Sequence, residues 1–106
     1  MAGGLTTAVD VTRLVERLAD RLARAGARHP VAAAVATACR GNTGRDIDSF
    51  AAWAGVPRAV VAAGEAGEVE FGDLPAEIVE HHGGIDLLAM ADLDHEYATR
   101  PRGNVR

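Results

Sequence analysis

An all-α fold is what this sequence predicts: a small helical domain with a helix-turn-helix core and an additional N-terminal amphipathic helix. Three observations lead there. The apolar fraction, 48% with only 4% aromatic residues, is carried by Ala, Val and Leu, and Ala loses no side-chain entropy in a helix. Apolar residues recur at three- and four-residue steps over positions 8–25, which is the period of one helix face. Two short apolar segments then flank Gly55 at the spacing of a tight helix pair. With 106 residues the chain has the length of one domain.

Residues 1–28 form the expected N-terminal helix. Thr7 and Asp10 fit a capping box, a hydroxyl for an orphan N–H and an acid three residues on. Ala8, Val11, Val15, Leu18, Leu22 and Ala25 make one apolar stripe, and Gly26 can end the helix. The stripe has two readings. It covers the protein's own body, or it pairs two chains into a homodimer through Val11, Val15, Leu18 and Leu22. Arg13, Arg17, Arg21, Arg24 and Arg28 form a second stripe within roughly 80° of helix arc. This is a solvated face, with Asp20 paired to Arg24 four residues on, or an edge that binds phosphate or an acidic partner.

Residues 29–97 form the expected helix-turn-helix domain. Pro30 suits a first helical position and opens "PVAAAVATACR", where Val31, Ala34, Val35 and Ala38 share a face. "GNTG", residues 41 to 44, is a turn cluster. Asp46 or Asp48 caps the next helix, which runs through Ala54 with Ile47, Phe50, Ala51 and Ala54 inward. Gly55 turns the chain and Pro57 starts a helix that frays at Gly64 or ends near Gly67. "EVEF" is too short to assign. Leu74 to His82 and Ile85 to Tyr97 read as two more helices, split by Gly83 and Gly84. Residues 98–106, "ATRPRGNVR", form an expected disordered basic tail.

A tight helix-turn-helix needs a small residue where the helices cross, a glycine at positive φ in the turn, and an apolar plug on the second helix. Ala51, Gly55 and Val61 meet these needs, with Val56 after the turn and Glu65-Ala66-Gly67 closing the unit. With the helices before and after, residues 30 to 82 resemble the Cro/C1-type (XRE-like) helix-turn-helix family. The resemblance implies a small DNA-binding transcriptional regulator whose second helix reads bases from Arg58, Ala59, Ala62 and Ala63. Adenine calls for Asn or Gln, guanine for Arg or Lys. There is no Lys and no Gln in the chain, so Arg58 is the one base reader in this helix. Arg45, Arg100 and Arg102 are the expected further DNA contacts, through phosphates.

Charge shapes the alternatives. Residues 1–40 hold six Arg against three acids, residues 41–75 two Arg against six, and residues 76–106 three Arg against six. The balances are +3, −4 and −3, summing to the net −4. Asp46 and Asp48 stand where the resemblance implies a phosphate near a helix N-terminus, and they repel it. Gly64 stands where that family carries a large apolar residue, which leaves the second helix under-anchored. The second functional reading is therefore a helix-turn-helix-derived protein-interaction module, an accessory or regulatory subunit. Trp53 separates the two. It lies roughly 110° from the inward face by helical geometry, so it packs under the N-terminal helix or stands exposed as an anchor for a partner.

Catalysis finds little footing, and no enzyme activity, cofactor or metal is expected. Ser49 is the lone serine and Cys39 the lone cysteine; the first reads as a cap and the second as a small core residue. Glu77 and His81 share a helix face, but His81 and His82 near a helix C-terminus read as dipole partners. His95 and Glu96 stand alone. No apolar run reaches the roughly 20 residues of a membrane span, and the N-terminus lacks a secretory pattern. A cytoplasmic protein is the expectation.

Overall fold

The computed structural model describes residues 7–100. It is all-helical, in the order α1 (Thr7–Arg24), α2 (Pro30–Thr43), α3 (Ile47–Ala54), α4 (Arg58–Glu65), a 3-10 turn at Phe71–Asp73, α5 (Ala76–Val79) and α6 (Leu87–Thr99). Of the expected tail, Arg102 and the rest of residues 101–106 lie outside the described residues, as do the side chains of Thr7, Ala8 and Asp10.

α2 is the centre. It packs against α1, α3, α4, α5 and α6, and Pro30 to Ala36 are all buried. One inward face was expected, but Ala32, Ala33 and Ala36 are as buried as Val31 and Val35, while Ala38 is only half-buried. A helix that is apolar all round belongs in an interior, and methyl-sized side chains let neighbours approach from every side. α2 also outlasts Arg40. It continues through Thr43 and ends at Gly44, whose φ is +70°. The Thr43 hydroxyl donates to the Arg40 carbonyl at 2.7 Å, so most of the expected turn is helix.

α1 lies along α2. Val15 and Ala19 are buried, and Val11, Leu18 and Leu22 pack against the same core. The stripe expected to pair two chains therefore covers the chain's own body. α6 runs beside α1 in the same direction: the Thr12 hydroxyl accepts from the Asp86 N–H at 2.9 Å, and the Tyr97 hydroxyl reaches Asp20 at 3.5 Å. Asp20 also pairs with Arg24 at 3.0 Å, as the spacing predicted, and the five arginines of the outer stripe are exposed.

The later elements differ most from expectation. α5 is one turn, not the nine-residue helix read from Leu74 to His82. Pro75 starts it, the chain tightens at Glu80, and Gly83 and Gly84 both take positive φ. α6 begins two residues later than expected, because the Asp86 carboxylate caps it by accepting from the Ala89 N–H. It ends at Thr99, so Ala98 and Thr99 are helical, not tail. Gly64 does not leave α4 loose. A Cβ there would meet Leu74 at 3.1 Å and Ala36 at 3.6 Å. The missing side chain is replaced by Leu74, arriving from ten residues downstream.

Candidate functional site: the outer face of the helix-turn-helix

α3 begins at the first of the two caps the sequence offered. Asp46 is its cap, the carboxylate accepting from the Ser49 N–H at 2.8 Å. Phe50 and Ala51 are buried, and Gly55 closes the helix at φ +75° with its N–H on the Ala51 carbonyl. Only glycine takes that backbone without strain. Val56 and Val61 are buried, filling the angle between α3 and α4 as the motif requires.

A partly buried ion pair holds α4 to α2. The Arg40 Nε donates to Glu65 at 2.6 Å and a terminal nitrogen donates to its other oxygen at 3.0 Å, while the second terminal nitrogen reaches the Arg45 carbonyl at 2.9 Å. This two-pronged geometry is among the stronger charge-assisted contacts. The Glu65 hydrogen bond holds the Arg40 guanidinium above its ordinary pKa. The pair was not read from the sequence: its members lie 25 residues apart, and no periodicity links them.

The expected base-reading surface is occupied by its own chain. Arg58 is exposed, and its guanidinium is paired with Asp48 on α3. Ala59 is exposed and Ala62 half-buried. Neither can hydrogen bond to a base. Arg45 is turned onto Trp53, its guanidinium carbon 4.2 Å from the ring centre, and its Nε is buried without a hydrogen-bond partner. Arg100 stands at the end of α6, stacked over Tyr97 at 4.3 Å, and lines a cleft with Arg28. The structure thus brings Arg58 and Asp48 together, and Arg45 and Trp53 together, but gathers no arginine cluster on α4.

Trp53 does not pack under the N-terminal helix. It is 51% exposed, and its ring neighbours are His81 at 4.8 Å and Phe50 at 6.1 Å, with Arg45 over it. His81 serves as a side support for the indole, a role that helix-end reasoning missed. It also sits 3.5 Å from Glu80, and its carbonyl accepts from Asn42 at 2.8 Å, which ties α5 to the end of α2. The outer face of α3 therefore carries an open aromatic surface steadied from two sides.

Cys39 is wholly buried, and burial pushes its thiol up to about 12. The thiol, not the thiolate, is the form at neutral pH, and only the thiolate is nucleophilic. Iodoacetamide labelling of the native chain at neutral pH is expected to proceed only as fast as the chain opens, and labelling at the rate of a free thiol would contradict this placement. Among the described residues no three His, Cys, Asp or Glu side chains converge on a metal position, and no helix is long and apolar enough to cross a membrane. No protein-family model, curated protein or solved structure matches the chain.

Proposed function

We propose that this chain is a helix-turn-helix-derived protein-interaction module, an accessory or regulatory subunit whose contact surface centres on Trp53. One observation carries the reading: the only tryptophan is half-exposed on the outer face of α3, held in place by Arg45 and His81. Tryptophan and arginine are the residues most enriched at binding hot spots. A ring already held in one orientation loses little further freedom on binding. The state of Arg58 supports the same reading, since the one candidate base reader is paired with Asp48.

The expected result is a protein captured from cell extract by the tagged chain, unaffected by nuclease. Trp53→Ala should weaken that capture by roughly 30-fold or more, corresponding to a hot spot of about 2 kcal/mol. Capture that vanishes with nuclease, or survives Trp53→Ala unchanged, would sink the reading.

A second reading, the Cro/C1-type DNA-binding transcriptional regulator, is favoured by the helix pair itself, with Gly55 at the turn and Val61 as its plug. Arg58 would have to leave Asp48 for a guanine. An exposed pair is worth about 0–1 kcal/mol, so the exchange is energetically open. Selection from a duplex pool decides it: enrichment of one sequence, with Arg58→Ala costing about 1–3 kcal/mol at a single guanine, supports this reading, and an unenriched pool removes it.

A further inference from the structure

The outer arginine stripe of α1 ends at Arg28, in the wall of the cleft that Arg100 also lines. The loop after α1 and the last turns of α6 enclose a volume of about 250 Å³, with Arg28, Arg100, Tyr97 and Pro30 in its wall. A neighbouring recess of about 460 Å³ shares Arg28, Pro30 and Tyr97 and adds His29 and Asp94. We infer that this cleft binds a phosphate group between the guanidinium groups of Arg28 and Arg100.

The pairing of these two arginines is the unusual feature. They lie 72 positions apart in sequence (100 minus 28), so no helical repeat brings them to one place. Three of the nine described arginines take an acid, Arg24 with Asp20, Arg40 with Glu65 and Arg58 with Asp48; of the others, Arg13, Arg17 and Arg21 lie along the exposed stripe and Arg45 lies on Trp53, while Arg28 and Arg100 line one cleft. Among the described residues Arg28 and Arg100 form no ion pair, although both face one recess. Two guanidinium groups in the wall of one cleft make it electropositive, and an anion bound there would offset their repulsion. Arg100 is further restrained over the Tyr97 ring, so its fork is partly oriented before any ligand arrives.

The chemistry favours phosphate. Each guanidinium presents five N–H donors in a rigid fork, and two forks offer more donors than the two oxygens of one carboxylate accept. Phosphate adds a third oxygen and up to two charges. The surroundings agree. α2 begins at this cleft with no acid in its own first turn and no side-chain cap at His29, so its positive end faces the recess. Asp94 is the one acid in the wall, and it belongs to the neighbouring recess with His29.

The ligand is a small phosphate-bearing molecule or a backbone phosphate of nucleic acid, and titration of the full chain separates them. Inorganic phosphate, a nucleoside monophosphate and a short DNA duplex would each be titrated at low salt by calorimetry. Saturable binding is expected, weakened about tenfold or more in Arg28→Ala and again in Arg28→Ala/Arg100→Ala. Both side chains are exposed, so the variants should keep the parent's circular dichroism and melting temperature. Arg13→Ala/Arg17→Ala, on the same stripe but outside the cleft, should bind like the parent. Displacement of the monophosphate by duplex points to the nucleic-acid source, and monophosphate binding that duplex cannot displace points to the small ligand. The inference falls if none of the three saturates, if the double variant binds like the parent, or if Arg13→Ala/Arg17→Ala is weakened equally, which would mean a diffuse surface field.

Discussion

Phe50→Ala is expected to cost about 3–5 kcal/mol and to lower the midpoint of thermal unfolding by more than about 12 °C. Phe50 is the largest wholly buried side chain. It sits on the first helix of the turn pair and touches both Trp53 and His81 edge-on or tilted. Its removal leaves a cavity where α3 meets the centre of the fold, and the aromatic neighbours cannot collapse into it without unseating the Trp53 surface. Most small domains have only about 5–15 kcal/mol of total stability, so this single change consumes a large share. Trp53→Ala, by contrast, removes a ring that is half in water and should cost far less. Chemical denaturation of the two variants side by side checks the ordering. If Trp53→Ala proves the more damaging, Trp53 is structural and the interaction reading loses its main support.

Arg40→Ala should be the second large effect, at about 3 kcal/mol, near the lower end of what a stranded buried charge costs. The side chains of Glu65 and Arg40 are only 11% and 24% exposed, so Glu65 would be left in the interior without its two donors, and the Arg45 carbonyl would lose one as well. The size of the loss comes from the orphaned carboxylate more than from the pair's own attraction. The double variant Arg40→Met/Glu65→Leu should therefore recover most of the loss, because it removes both charges and keeps the volume. Urea unfolding of the three proteins forms the test. A single variant within about 0.5 kcal/mol of the parent, the ordinary range for surface changes, would mean that the pair is idle.

Much of the fold was legible because its rules are local. The positive-φ turn at Gly55, the plug at Val61 and the inward set Ile47, Phe50, Ala51 and Ala54 all follow from spacing within a few residues, while the structure chose Asp46 over Asp48 as the cap. So does the pairing of Asp20 with Arg24. The misread elements are those whose length is decided by distant partners. The segment from Leu74 to His82 has helical composition, yet only Ala76–Val79 is helical, because Leu74 is drawn off to fill the space above Gly64 and His81 to support Trp53. Propensity is a weak prior where tertiary contacts compete for the same residues.

The sequence by itself determined the fold class, the turn of the helix pair and the absence of amide or lysine base readers on α4, since these depend on residue identity and near-neighbour geometry. Tertiary structure alone decided what each charged or aromatic side chain is free to do. The α1 stripe packs on α2, Arg58 takes Asp48, Arg45 takes Trp53 and Arg40 takes Glu65, while Arg28 and Arg100 line one cleft. The physical reason is one of range. Helix periodicity reaches about four residues along the chain, whereas a guanidinium takes whichever carboxylate or ring the fold brings within a few ångströms.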